Sequence, residues 1–205
     1  MKTVEHTMSK KNAVLKEIFQ VLDSFNDDEV DKFVSIILDD HLKRAQRGEP
    51  PRKVLCYGAG RMGLSIRAFA MRLNHLGIPA YFFGDTYIPP FTKDDIVVLV
   101  SNSGETRTVV SVANAVTAKC QAKIIAITAN PNSTLAKYAD HIVTFKTCNG
   151  GLNSADDPSK INSIQPMTTL TEQALLIFFD IVVLELIRAG YIDIDRCKAF
   201  HSNIE

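Results

Sequence analysis

The sequence predicts an α/β chain, with a central, mostly parallel five-stranded sheet between two layers of helices, and three observations predict it. Five short apolar runs, among them Lys53-Val54-Leu55-Cys56-Tyr57 and Ile96-Val97-Val98-Leu99-Val100, alternate with segments of helical periodicity. Alternation of this kind gives a parallel sheet covered on both faces. Two of the runs hand over to loops of small residues that open the next helix, and a parallel sheet gathers such junctions at one edge. Finally, 205 residues at 46% hydrophobic composition suffice for one full core.

Taken in order, residues 11 to 45 predict two amphipathic helices, with Val14, Leu15, Ile18, Phe19 and Leu22 on one face and Val30, Phe33, Ile37 and Leu38 on another. The stretch "NDDE" between them supplies an N-cap. "RGEPPRK" breaks the helical pattern and "KVLCY" opens the first strand. A helix at 61 to 76, strands at 79 to 83 and 95 to 101, a helix at 105 to 118, a strand at 122 to 128, a short helix after Ser133 and a strand at 141 to 145 follow. The polar stretch "NGGLNSADDPSKINS" then leads into "TEQALLIFFDIVVLELIRAG", a helix apolar on nearly every side. Such a helix is expected to lie between the sheet and another layer or another subunit. Residues 1–205 are expected to form a single domain, with 1–48 as a helical extension packed on it.

Composition narrows the function. Lys plus Arg and Asp plus Glu both total 23, so there is no basic field for nucleic acid or an anionic membrane. The N-terminus lacks the apolar core of a signal peptide and no run approaches the roughly 20 apolar residues of a membrane span, so a cytoplasmic location is expected. Cys56, Cys120, Cys148 and Cys197 are far apart, with no CxxC and no histidine at ligand spacing. That argues against a disulfide framework and against a zinc site.

The stretch "VLVSNSGETRTVV" carries the first candidate site. At a strand-to-helix junction, unpaired backbone N–H groups and the positive end of the helix dipole meet the hydroxyls of Ser101, Ser103 and Thr106, while Gly104 lets the backbone come close. This suits a phosphate. The alternative is an ordinary helix cap, Ser103 serving as N-cap with Thr106 three residues on. The second junction, "GAGRMG" at residues 58–63, satisfies the dinucleotide pattern G-x-G-x-x-G, and Asp85 stands where a ribose-binding acid could be. Little chain remains beyond residue 146 for the second half of a dinucleotide fold, and that reading leaves the serine loop unexplained.

With both loops placed, the segments "GAGRMG", "RAFAMRLNHLG", "FFGDTYIPPFTKDD", "SNSGETRTVV", "AITANPNSTLAKYAD" and "SIQPMTTLTEQALLIFFD" resemble, in order, the sugar isomerase (SIS) fold and within it the 6-phospho-3-hexuloisomerases. The C-terminal "FHSNIE" resembles the family's ending. The resemblance implies a flavodoxin-like three-layer architecture and interconversion of D-arabino-hex-3-ulose 6-phosphate and D-fructose 6-phosphate, the step after formaldehyde is fixed onto ribulose 5-phosphate. It also implies a homotetramer, a dimer of dimers with sites near subunit interfaces, and no cofactor.

Carried over, Ser101, Asn102, Ser103, Gly104, Glu105 and Thr106 hold the phosphate, and Gly60, Arg61 and Met62 meet the substrate. Glu172 falls where the family has its catalytic base. Moving a carbonyl from C3 to C2 needs a proton taken from one carbon and returned to its neighbour through an enediol, and one carboxylate can do both. As an ordinary residue, Glu172 would be an acid favoured by the dipole in a first helical turn. His75 is a candidate for ring opening or hydroxyl proton exchange, and equally an unremarkable histidine near a helix end before Gly77. Arg61 binds substrate or pairs with an acid, and His201 is a weaker candidate. Met62 stands where the family usually has serine, Asn102 and Thr168 where it often has glycine, and Thr171 where phenylalanine is common. Asn102 gives "SNSGET", a form also found in arabinose 5-phosphate isomerases. An isomerase for another sugar phosphate, and a non-catalytic sugar-phosphate-binding protein, therefore stand as alternatives.

Overall fold

The computed structural model describes residues 2–147, 160–191, 194–201 and 204. Cys148 and most of the polar stretch "NGGLNSADDPSKINS" lie outside the described residues. Helices α1 (Lys2–Leu22) and α2 (Asp27–Gln46) lead into β1 (Val54–Gly58), α3 (Gly60–His75), β2 (Ala80–Phe82) and β3 (Ile96–Val100). Then come α4 (Arg107–Lys119), β4 (Lys123–Thr128), α5 (Thr134–Tyr138), β5 (His141–Thr144) and α6 (Thr169–Leu186). A π-helical turn (Ile187–Tyr191) and α7 (Ile194–Ala199) end the described chain.

The five strands lie in the order β2-β1-β3-β4-β5, every pair parallel. The order reverses between β1 and β3, which pair from Val54 opposite Ile96 to Gly58 opposite Val100. Loops after these two strands diverge to opposite faces and leave a crevice at the carboxyl edge of the sheet.

Because side chains alternate along a strand, β3 feeds two cores. Val97 and Leu99 pack with Val109, Val112 and Leu135 under α4 and α5, whereas Ile96, Val98 and Val100 pack with Ile66, Phe69 and Phe179 under α3 and α6. The second core is joined by stacked rings: Phe69 on Phe179 with centroids 4.6 Å apart and Phe25 on Phe178 at 4.1 Å. Phe25 precedes α2, whose Asn26 accepts from the Glu29 N–H at 3.1 Å, the cap that "NDDE" predicted. The Glu29 carboxylate accepts from the Thr144 N–H (2.6 Å) and hydroxyl (2.8 Å), pinning α2 to β5.

Two elements differ from expectation, and α6 is covered only in part. α1 begins at residue 2, and Leu15 and Phe19 are 57% and 67% exposed rather than on its buried face. Glu17 turns inward instead, because its carboxylate accepts from the Ser163 hydroxyl (2.7 Å) and the Ile164 N–H (2.9 Å) ahead of α6. α4 starts at Arg107, since residues 101–106 are consumed by the loop. Finally, α6 buries Ala174, Leu175, Phe178, Phe179 and Val182 but leaves Leu176, Ile177, Ile181 and Leu184 40–52% exposed, so one side of this apolar helix is uncovered in a single chain.

At the opposite edge of the sheet, Asp95 is 3% exposed and accepts from the Lys53 N–H (2.9 Å), the Thr92 N–H (2.8 Å) and the Thr92 hydroxyl (3.1 Å), with the Lys53 ammonium at 2.9 Å. Burial alone would raise this carboxyl, but the Lys53 and Thr92 donors outweigh it and hold it below the usual aspartate range. A folded-state pKa below the unfolded one gives stability that is present above the unfolded value and lost as pH falls through the folded one. Asp95→Asn is expected to lower stability at neutral pH by about 1–3 kcal/mol, the cost of unpaired buried donors. In urea unfolding the gap to the parent should narrow below about pH 4.

Candidate functional site

The first wall of the crevice is the β1–α3 junction. Gly60 adopts φ +58°, a left-handed conformation that a side chain disfavours, and opens α3. Gly63 lies so close to β1 that a Cβ on it would stand 2.5 Å from the Gly58 carbonyl oxygen. The glycine spacing of "GAGRMG" is thus used for a tight turn and close helix–strand packing. Arg61 and Met62 follow on the first turn. Met62 lines the crevice but is only 7% exposed and belongs to the core under α3 and α6.

The second wall is the loop after β3, and its residues divide into two groups. Asn102, Ser103 and Thr106 line the cavity. Ser101, Gly104 and Glu105 hold the loop's shape. The Ser101 hydroxyl, 1% exposed, shares a hydrogen bond with that of Thr106 (2.8 Å) and accepts from the Gly104 N–H (3.1 Å). Gly104 sits at φ +68° and packs so tightly that a Cβ would lie 2.0 Å from the Ser133 Oγ. Glu105 reaches away to α5, accepting from the Thr134 N–H at 2.7 Å, which holds its carboxyl below the usual glutamate range. Asn102 is fixed through its backbone carbonyl, which accepts from the Ala129 N–H (3.0 Å) and the Thr128 hydroxyl (3.2 Å).

The third wall is the entry to α6, from Pro166 to Thr169, with Glu172 behind it. Glu172 is 8% exposed and held at four points. Its Oε1 accepts from the Thr168 hydroxyl at 2.9 Å, and its N–H donates to the Thr168 carbonyl at 3.1 Å. Its carbonyl accepts from the Ser65 hydroxyl of α3 at 2.9 Å. Its Oε2 lies 2.7 Å from the Arg61 Nε, an ion pair whose N–H points off the line to the oxygen, so Oε2 has no aligned hydrogen bond.

Between these walls is a cavity of about 530 Å³. The N-termini of α3, α4 and α6 all open onto it, and none of the three cap residues, Ala59, Thr106 and Thr168, caps its helix through its side chain. Ser103 does not cap α4 either, because its Oγ accepts from the Glu105 N–H (3.1 Å), two residues before that helix begins. Three positive dipole ends without a side-chain cap therefore face one space, the arrangement that favours an anion. The apposition of this field with a buried carboxylate suits a substrate with an anionic tail and a carbon to be deprotonated.

His75 is not brought to this cavity. It lies at the far end of α3, about 20 Å along the helix from Met62 at 1.5 Å per residue. There it lines a second cavity of about 550 Å³ with Arg72, Lys198 and His201, its ring 5.0 Å from that of His201. Burial, then the neighbouring His201 and Arg72, push its pKa down. Sequence marks Thr168 only as a departure from the family and does not mark Ser65, yet both hold Glu172. The spacing of Thr168 and Glu172 was the available signal for the first, and nothing local marks the second.

Among the described residues no group of three or more His, Cys, Asp or Glu side chains could hold a metal ion, and no helix is long and apolar enough to cross a membrane.

The sequence profile of the SIS domain matches residues 49–177. A Bacillus subtilis protein named 3-hexulose-6-phosphate isomerase is 32% identical over 205 residues, the full length of both chains. One of the same name from Mycobacterium gastri is 31% identical over 190 residues, covering 87% of this chain and 92% of its own. Among solved structures, a Methanococcus jannaschii protein, whose crystal structure is described as inferring a function of 3-hexulose-6-phosphate isomerase, superposes with a TM-score of 0.74 at 28% identity, covering 96% of this chain and 99% of the other.

Proposed function

We propose, for a chain that belongs to the SIS domain family, that the cavity interconverts D-arabino-hex-3-ulose 6-phosphate and D-fructose 6-phosphate with Glu172 as the base. The relatives support a phosphosugar isomerase at the coarser level. The observation that carries the finer reading is the buried Glu172 carboxylate, in the first turn of α6, sharing one cavity with the N-termini of α3, α4 and α6, none of them capped by a side chain. The phosphate binds at those N–H groups with the Ser103 and Thr106 hydroxyls. Glu172 takes the proton from C2 as the C3 carbonyl becomes an enediolate oxygen, the C2 hydroxyl proton passes to the C3 oxygen, and Glu172 returns the carbon-bound proton to C3 as C2 becomes the carbonyl. Arg61, beside Glu172, offsets the negative charge that passes between carboxylate and enediolate.

The test couples the purified protein to a hexulose phosphate synthase supplied with ribulose 5-phosphate and formaldehyde and reads fructose 6-phosphate. No product above the synthase-only control would refute the assignment. Asn102 and Met62 favour a second reading, an isomerase for another sugar phosphate, which arabinose 5-phosphate assayed in parallel distinguishes.

If the serine loop holds phosphate, Ser103→Ala and Thr106→Val should each weaken fructose 6-phosphate binding by about 2- to 12-fold, the worth of one hydrogen bond. Binding of free fructose should not change. Equal losses on both ligands in calorimetry would remove the phosphate role.

A role for His75 requires a second copy of the chain, because in one chain it faces a different cavity from Glu172. We propose a homotetramer in which His75 reaches a neighbour's cavity, and the exposed apolar side of α6 supports self-assembly. Mixing His75→Ala with Glu172→Gln chains under conditions of subunit exchange should restore turnover that neither has alone. Full activity of His75→Ala by itself would end the case for its role.

A further inference from the structure

We infer that Thr147 is a positioning residue for this reaction, its hydroxyl setting which way the Asn102 carboxamide faces. Thr147 lies beyond β5 at the edge of the sheet, where the chain turns back over β4 to reach the loop after β3. It is 1% exposed, and its hydroxyl donates to the Asn102 Oδ1 at 2.7 Å. The Thr171 hydroxyl, also 1% exposed, donates in turn to the Thr147 Oγ1 at 3.2 Å. Asn102, 4% exposed, is the member that lines the cavity.

The chemistry of this chain of hydroxyls is directional. A carboxamide has an accepting end and a donating end of nearly the same shape, so a half-turn about its bond to Cβ exchanges them with little change in packing. A hydroxyl carries a single proton. The Thr147 proton goes to the Asn102 Oδ1, so the amide is held with its oxygen toward Thr147 and its NH₂ turned away, and Thr171, donating to Thr147, ties that hydroxyl to α6. A donor suits the phosphate and hydroxyl oxygens of a sugar phosphate, whereas a carbonyl oxygen in its place would repel the phosphate. Thr171 precedes Glu172 in the first turn of α6. The same three groups therefore tie the phosphate loop to the turn that carries the base, and burial strengthens each bond in the series.

The inference rests on the reading of the cavity as a sugar-phosphate site, and the experiment separates the two. Thr147→Val keeps shape and removes the hydroxyl. It is expected to raise KM for the hexulose phosphate, and Kd for fructose 6-phosphate, by about 2- to 12-fold with kcat within about twofold. Thr147→Ser is expected to bring both constants back to within about twofold of the parent. A purely structural role would lower folded protein without this KM-against-kcat split. Unchanged KM and Kd in Thr147→Val, a fall in kcat alone, or no rescue by serine would overturn the inference. Should Thr147→Val fail to fold, Thr171→Val is read instead, since it removes the bond that ties Thr147 to the first turn of α6 and is expected to raise Kd in the same sense. An unchanged Kd there counts against the inference. Parent turnover reports on the reaction, and the variant-to-parent Kd ratio reports on Thr147 whether or not the parent turns over. A parent that does not bind fructose 6-phosphate overturns both.

Discussion

Glu172→Gln is expected to lower kcat at least about 100-fold while fructose 6-phosphate still binds, because general base catalysis typically contributes that much or more. Glutamine keeps the volume and, through its side-chain oxygen, the bond from the Thr168 hydroxyl, but it cannot accept the C2 proton. The backbone links from Glu172 to Thr168 and Ser65 survive the change, so the turn should stay in place. The Arg61 side chain, 62% exposed, returns to water when its partner is neutralised. Single-turnover kinetics with calorimetric Kd values separate the steps: a tenfold or smaller loss in kcat would remove Glu172 as the proton carrier.

Gly63→Ala is expected to be strongly destabilising. The added carbon would meet a backbone oxygen, Gly58 O at 2.5 Å, and not the end of a flexible side chain. Relief must come from moving α3 away from β1, which also pulls on the buried Ile66, Phe69 and Leu73. Overpacking of this kind costs about 1–3 kcal/mol, and a backbone obstacle belongs at the upper end. Thermal unfolding should show Tm lower by about 6–12 °C for a chain of this size. Leu64→Ala, at a neighbouring position 67% exposed, should change Tm little and serves as the control. A Gly63→Ala melt that matches the parent would mean that the close approach to β1 is not needed.

Much of the frame was legible because it is written in local periodicity. β1 and β3 announced themselves as unbroken apolar runs, and their loops as small-residue clusters. The order of those strands then put both loops at one edge. What local patterns do not encode is which residues meet across the chain. Ser65 and Glu172 are joined over a separation of 107 residues, and Asn102 and Thr147 over 45. His75 shows the converse: its place on a predicted helix was right, but that helix carries it away from the cavity that Arg61 and Met62, at the other end, line. Within the serine loop, the sequence marked the hydroxyls without saying which would turn inward. Burial and the tight contact with Ser133 decided that Ser101 and Gly104 shape the loop while Ser103 and Thr106 face outward.

The stack of Phe25 on Phe178 has a consequence for how the chain is made. In chain order α1 and α2 both precede all five strands of the sheet, yet their partner surface on α6 follows them. Phe33, fully buried in the finished fold, can meet Phe69 of α3 earlier but lacks its Phe178 partner until α6 is made. An all-parallel sheet adds to the delay, because each strand pair waits for a long crossover to close. A nascent chain therefore carries the apolar faces of α1 and α2 incompletely covered until α6 is made, and chains that stop short of α6 should aggregate or be captured by chaperones instead of folding in stages.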